Sequence, residues 1–321
     1  METLARLVSE DMEAVESIIH DRMMSPVGMI PNVAAHLVDA GGKRIRPLIT
    51  LASARLLGGG GDAARKLAAS VEFIHTATLL HDDVVDESGL RRGKTSANRM
   101  WGNAPSVLVG DFLFARSFNL MVETGDLAVL DILARAASVI AEGEVMQLAA
   151  ANDADATLDR YLDIVTAKTA ALFEAAARAG AVVAGRAGAE AQALAAYGRN
   201  LGLAFQLVDD ALDYDGRAGA MGKNVGDDFR EGKVTMPVVL ARDSGDLEER
   251  DFWRRVMSGH QQDGDFPRAL AILRKRNAIG RTLDAARDYA SAACAALASL
   301  PANAYREALL ELPGFVVARA H

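Results

Sequence analysis

Cys294 is the one cysteine in 321 residues, so no disulfide can form within the chain and a reducing compartment is its natural setting. Aromatic residues make up only 5% of the sequence, and no segment alternates apolar and polar residues as a half-buried strand does. A basic excess is also missing. The formal net charge of −8 argues against a nucleic-acid partner and against general attraction to anionic lipid, though it leaves room for local basic pockets. The first residues, METLARLVSEDMEAVESII, lack the basic start, apolar run and small-residue cleavage site of a signal peptide. No uninterrupted apolar stretch is long enough to span a bilayer, so the expectation is a soluble, cytoplasmic chain. Neither GxxxxGK[ST] nor GxGxxG occurs, which removes the usual signs of ATP or dinucleotide binding. No Pro/Ser-rich or strongly charged linker divides the chain, and residues 1–321 read as one domain.

Long stretches of Ala, Leu, Glu and Arg, good helix formers and poor strand formers, predict an all-α fold. The first amphipathic segment runs to about Asp39 and is expected to break near Pro26 and Pro31. Pro47 suits the first turn of a helix through LITLASARLL. Gly58 to Gly61 form a breaker, Asp62 reads as an N-cap, and a long helix should follow from about Ala63 to Asp86. RRGKTSANRMWGNAP reads as a polar loop. Further helices are expected over 106–122, 127–150, 158–184 and 189–214, then a loop over 215–233, with helical pattern resuming at Met236 apart from polar interruptions around 259–265.

One short pattern occurs twice. Asp-Asp-x-x-Asp appears as Asp82, Asp83 and Asp86 in LLHDDVVDE and again as Asp209, Asp210 and Asp213 in FQLVDDALDY. Helical spacing stacks Asp82 with Asp86 and Asp209 with Asp213, making two anionic platforms whose like charges oppose the helix unless something cationic compensates them. Magnesium suits, because it takes one or two carboxylates and completes its shell with water and phosphate oxygens. Basic residues stand close by in sequence. Lys43, Arg44 and Arg46 occupy a glycine-flanked loop before a helix start, where charge and free N–H groups both meet phosphate, and Arg91 and Arg92 follow the first cluster. Taken singly, Arg44 also reads as ordinary surface charge, and His75 as a core histidine.

With these residues in view, the chain resembles the trans-isoprenyl diphosphate synthase family and is most similar to its bacterial long-chain, octaprenyl or decaprenyl, branch. The match runs through GGKRIRP (Gly41 to Pro47), EFIHTATLLHDDVVDESGLRRG (Glu72 to Gly93), Lys168–Thr169, AFQLVDDALDY (Ala204 to Tyr214) and GKNVGDDFREGKVTMP (Gly222 to Pro237). The resemblance implies a homodimer of helical bundles around a deep central cavity, with the two aspartate clusters facing each other across its mouth. It implies that Lys43, Arg46, His75 and Arg92 bind isopentenyl diphosphate. It assigns magnesium (Mg2+), three ions per active site, to Asp82, Asp86 and Asp209, with Asp83, Asp210 and Asp213 assisting. Arg91, Lys168, Thr169, Gln206, Lys223 and Lys233 would contact the diphosphate of an allylic substrate.

The expected chemistry is ionisation of the allylic diphosphate, attack on the cation by the double bond of isopentenyl diphosphate, and loss of a proton, which the resemblance gives to the departing diphosphate. A tail growing back along the first aspartate helix would pass Thr78 and Ala77, then Ile74, one and two turns away. Short-chain relatives close that path with a bulky aromatic, whereas Ala77 and Thr78 are small, so a long product suited to a respiratory (ubiquinone-type) quinone is expected. The rivals are a short-chain farnesyl or geranylgeranyl synthase, a class I terpene cyclase, whose second metal motif is usually Asn/Ser/Glu instead of DDALD, and a non-catalytic subunit, whose aspartates should have eroded.

Overall fold

In the computed structural model, which describes residues 1–215 and 226–319, the chain is helical almost throughout. Helices α1 (Glu2–Leu7), α2 (Ser9–Met23) and α3 (Met29–Val38) lead into α4 (Ile45–Leu56) and the long α5 (Asp62–Val85). A hairpin of β1 (Leu90–Arg91) and β2 (Lys94–Thr95) and the short α6 (Ala97–Trp101) precede α7 (Asn103–Glu123) and α8 (Leu127–Ala149). Then come α9 (Leu158–Val165), a π-helical turn (Thr166–Ala170), α10 (Ala171–Val183) and α11 (Ala189–Tyr214). The chain continues through α12 (Asp227–Arg230), α13 (Met236–Asp243), α14 (Leu247–Met257), α15 (Asp265–Lys275), α16 (Ala278–Ala296) and α17 (Ala304–Ala318).

Local sequence explains several of these limits. Asp126 accepts from Ala128 N at 2.8 Å and starts α8, Thr157 caps α9, and Asp246 with Glu249 forms a capping box at α14. The breaker at Gly58 to Gly61 separates α4 from α5 as expected, and Pro47 sits in the first turn of α4. Four expectations need correction. Pro31 does not break a helix: it is the third residue of α3, where a missing N–H costs nothing. Asp62 begins α5 after Gly61 and makes no capping bond. The polar loop after Arg91 contains the hairpin and α6, and α7 already begins at Asn103. The helix expected over 158–184 is interrupted by the π turn, a feature with no signature in hydrophobic periodicity.

The centre is built from α4, α5, α7, α10, α11 and α16. α5 lies along α7 and α4, while α11 packs against α10 and α16. One apolar cluster extends from Leu4 to Val316, with Trp253, Tyr197, Tyr214, Phe73 and Phe173 among its largest buried side chains. Each such aromatic contributes roughly 1.5–3 kcal/mol by leaving water, so a few of them outweigh the repulsion within either aspartate cluster. Among the described residues no helix is long and apolar enough to cross a membrane.

Candidate active site

A cavity of about 550 Å³ opens between the start of α4, the middle of α5, the hairpin, the end of α11 and the end of α17. Lys43, Arg46, His75 and Arg92 line it, and so do Gln206, Asp209, Asp210 and Asp213. Glu72, Asp228, Phe173, Phe205 and Arg319 line it as well, and sequence reasoning singled out none of these. Thus one basic group, drawn from α4, α5 and the hairpin, faces one acidic group on α11.

The basic side is held by specific contacts. Arg44 adopts a left-handed conformation (φ 46°) at the turn before α4, and its guanidinium bonds Glu72, Glu16 at 3.0 Å and Val38 O at 3.0 Å. It is therefore a buried anchor of the loop, not surface charge. With Arg44 fixed, its neighbours Lys43 and Arg46 project into the cavity, Lys43 with Nζ 4.6 Å from the Phe315 ring centre and Arg46 with Cζ 4.3 Å from that of Phe173. Burial, opposed by Glu72 and Asp209, lowers Arg46 to about 10, so it stays charged at neutral pH. Among the described residues its buried Nε has no hydrogen-bond partner, which suits a cavity that takes an anion. Burial and then the charge of Arg319 lower Lys43. His75 is pushed well below its ordinary value by burial, then by Arg46 and Arg92, and is neutral at pH 7.

The hairpin separates two adjacent arginines. Leu90 pairs with Thr95 and Arg91 with Lys94, leaving Arg92 (φ 54°) and Gly93 (φ 76°) as a two-residue turn with both residues left-handed. Arg92 turns into the cavity and sits against Gly42, where a Cβ would lie 2.8 Å from Nη1, so a side chain at 42 would push the guanidinium from this position. Arg91 goes the other way and donates from Nε to Asp83 at 2.8 Å.

Each aspartate cluster divides into carboxylates facing out and carboxylates turned in. Asp83 is fully buried, with burial raising its pKa against the pull of Arg91, and its carbonyl accepts from Asn98 Nδ2 at 2.8 Å. Asp82 and Asp86 keep some exposure and meet lysines: Lys168 lies 3.6 Å from Asp82 and Lys233 lies 3.0 Å from Asp86. In the second cluster Asp209 pairs with Arg319 at 2.8 Å, while Asp210 is buried between Tyr161 and Gln206. Burial, then the charge of Asp228, raises Asp210 to about 7. Asp213 accepts from the backbone of Asp227 and Asp228, each at 3.2 Å, and so anchors α12. Lys233 pairs with Asp86 at 3.0 Å and with Glu231 at 2.6 Å; desolvation opposes its charge, but Asp86, Asp228 and Glu231 outweigh it and keep it charged.

The π turn presents Lys168 and Thr169. It packs on Gly143 of α8, where a Cβ would lie 2.7 Å from Lys168 N. Lys168 reaches Glu144 at 2.7 Å as well as Asp82, and Thr169 Oγ1 donates to Gln206 at 2.9 Å. Glu144, raised to about 7 by burial and by Asp82, was not foreseen, since no motif marks it. Ile74 and Ala77 are fully buried on α5, and Thr78 is half-buried with its hydroxyl donating to His75 O at 2.9 Å; none of the three lines the cavity. Lys223 lies outside the described residues.

Among the described residues no three His, Cys, Asp or Glu side chains converge into a closed metal cage. The donors available are outward carboxylates with cations of the protein beside them. Such open oxygen donors fit magnesium, which keeps water and phosphate oxygens in its shell, and would not fit zinc.

Residues 27–273 match the family model described as polyprenyl synthetase. The chain is 45% identical to the octaprenyl diphosphate synthase of Escherichia coli over 323 residues, 99% of each chain. A solved structure of a polyprenyl synthase from Caulobacter crescentus CB15, complexed with calcium and isoprenyl diphosphate, superposes with a TM-score of 0.95 at 56% identity, covering 100% of this chain and 98% of that one. A decaprenyl diphosphate synthase from Rhodobacter capsulatus superposes with a TM-score of 0.95 at 52% identity, covering 100% of this chain and 99% of the other.

Proposed function

Since this chain belongs to the polyprenyl synthetase family, we propose that its cavity takes isopentenyl diphosphate on its basic side and the allylic diphosphate to which it is repeatedly added on the side of Gln206 and Asp209. The chain is a prenyltransferase, and its activity is the synthesis of a long trans-polyprenyl diphosphate, of octaprenyl to decaprenyl length. We assign the product to the side chain of a ubiquinone-type quinone, the enzyme to the cytoplasm, and residues 1–321 to one domain. The observation that carries the site assignment is the convergence of Lys43, Arg46, His75 and Arg92 on one cavity opposite Asp209.

On this reading Lys43, Arg46 and Arg92 clamp the diphosphate of isopentenyl diphosphate, and neutral His75 adds a hydrogen bond without adding charge. Asp82, Asp86 and Asp209 would hold magnesium, which when bound neutralises charge on the allylic diphosphate as it departs. Lys168 and Lys233 already lie against the first cluster, and they would turn to the allylic diphosphate with Arg91, Thr169, Gln206 and Lys223. A carbocation must be kept from water, and Phe173 and Phe205 line the cavity with apolar rings. No side-chain nucleophile is needed. Ile74, Ala77 and Thr78 are assigned to the path of the growing tail, because two of the three are small.

The active form is proposed to be a homodimer. Leu108 and Val122 on α7 and Leu127, Val145 and Leu148 on α8 are exposed apolar residues on two packed helices, as a self-associating face requires. Incubation with magnesium, farnesyl diphosphate and labelled isopentenyl diphosphate tests the reading, with long-chain extension the expected result. A cyclic hydrocarbon would point to a cyclase, products no longer than geranylgeranyl diphosphate to a short-chain synthase, and no reaction to a non-catalytic subunit.

A further inference from the structure

Tyr161 belongs to no motif and does not line the cavity, yet it ends a buried chain of hydrogen bonds that leads there. It stands on α9, 6% exposed, and its hydroxyl donates to Oδ2 of Asp210. The second oxygen, Oδ1, accepts from Gln206 Nε2 at 2.7 Å, and Gln206 Oε1 accepts from Thr169 Oγ1 at 2.9 Å. The directions reinforce one another. Oδ2 of Asp210 takes the Tyr161 proton and Oδ1 takes an amide N–H, so the Gln206 nitrogen is turned to Asp210 and the amide oxygen is left to receive the Thr169 proton. One amide N–H is used inside the protein. The other remains on Gln206, which lines the cavity beside Asp209.

We propose that Tyr161 is a positioning residue for the allylic diphosphate: by holding Asp210 from behind, it fixes the Gln206 amide so that its second N–H meets a diphosphate oxygen. The inference rests on the assignment of Gln206 to that diphosphate. Gln206 and Asp210 are four residues apart on one helix, and such a pair is weak on its own. Asp210 is confined from outside its own helix by Tyr161, which approaches from α9, so loss of the hydroxyl frees the carboxylate to rotate and the amide with it. A tyrosine that merely satisfied its own buried hydroxyl would contribute stability and nothing to substrate affinity.

Tyr161→Phe keeps the ring and removes only the donor. The expected result is a rise of about tenfold in KM for farnesyl diphosphate, the size of one lost hydrogen bond to a charged group. KM for isopentenyl diphosphate should stay within about twofold of wild type. A double-mutant cycle with Gln206→Leu separates positioning from packing: in the Gln206→Leu background Tyr161→Phe should cost nothing further in KM for farnesyl diphosphate. Effects that multiply, or a lowered Tm with KM for farnesyl diphosphate unchanged, would overturn the proposal. Wild-type enzyme that fails to extend farnesyl diphosphate would instead overturn the underlying assignment, and that is seen before any variant is compared.

Discussion

The two Asp-Asp-x-x-Asp segments are near copies in sequence and unlike in their surroundings. In the first, Asp82 and Asp86 both face outward, with side chains 15% and 18% exposed, and only Asp83 is buried. In the second, Asp209 alone stands out at 27%, because Asp210 is locked between Tyr161 and Gln206 and Asp213 accepts the backbone N–H groups that open α12. The difference comes from the course of the chain beyond each helix. After α5 the chain leaves into a hairpin that takes only the middle carboxylate, through Arg91. Beyond α11 it returns at Gly226, whose N–H bonds Asp213 O at 2.9 Å, and α12 takes the last carboxylate. An identical motif thus offers two outward carboxylates at one site and one at the other.

Substitution of the outward residues tests this asymmetry most severely. Asp82→Ala and Asp209→Ala should each lower kcat about a hundredfold or more while the protein stays folded, since a lost metal ligand removes stabilisation of the departing charge. Asp213→Ala should act mainly on stability, by about 1 kcal/mol, the usual scale of a lost helix cap, read as a lower Tm. Near-normal kcat in Asp82→Ala, or an Asp213→Ala loss as deep as that of Asp209→Ala with an unchanged Tm, would break the comparison.

The buried middle carboxylates should behave as structural anchors. Asp83→Ala strands Arg91 among buried groups and should cost about 3 kcal/mol of folding stability in denaturant titration. Asp83→Ala in an Arg91→Met background should cost clearly less, because the stranded charge is gone. Equal costs in both backgrounds would show that the pair is not what holds Asp83.

The first cluster is also the one assigned to the start of the tail's path. Ala77→Phe or Thr78→Phe should shift the product towards farnesyl or geranylgeranyl diphosphate without abolishing catalysis, as chromatography of the dephosphorylated alcohols would show. Thr78 is the more forgiving position, because Ala77 is fully buried and a ring there also overpacks the core. Unchanged product length in both folded variants would mean that the tail leaves by another route.

A last expected effect lies on the basic side of the cavity and shows only as the pH falls. His75 titrates well below its ordinary value when folded, owing to burial and then Arg46, Arg92, Arg91 and Arg44, so protonation favours the unfolded chain. Its contribution to stability is therefore intact above pH about 6.5 and is lost as pH falls below that, by up to about 1.4 kcal/mol per pH unit. His75→Gln should flatten the fall in Tm between pH 6.5 and 5 relative to wild type. Parallel curves for the two proteins would mean that His75 is not held neutral.

Much of this molecule was legible in its residues. Helix content followed from Ala, Leu, Glu and Arg, α11 runs from Ala189 to Tyr214 as the periodicity required, and Lys43, Arg46, His75, Arg92, Gln206 and Asp209 do meet at one cavity. Arg319, Glu72, Glu144 and Tyr161 were not legible, because each owes its place to a partner between 24 and 110 residues away, and no local pattern records such a partner. The π turn at Thr166–Ala170 was not legible because it shifts the helical phase only once, inside the Ala-rich run TAKTAALFEAAA, where no distinct polar face marks the shift.

The sequence by itself determined which groups are present and which neighbours share a helical face, since side-chain chemistry and a repeat of 3.6 residues per turn are local properties. Which carboxylates face out depends on packing between helices. Burial, and the choice between a hydroxyl, a guanidinium and a backbone N–H as partner, depend on what packs against the helix, so Asp83 and Asp210 became anchors and Asp213 a cap while Asp82, Asp86 and Asp209 stayed at the surface of the site.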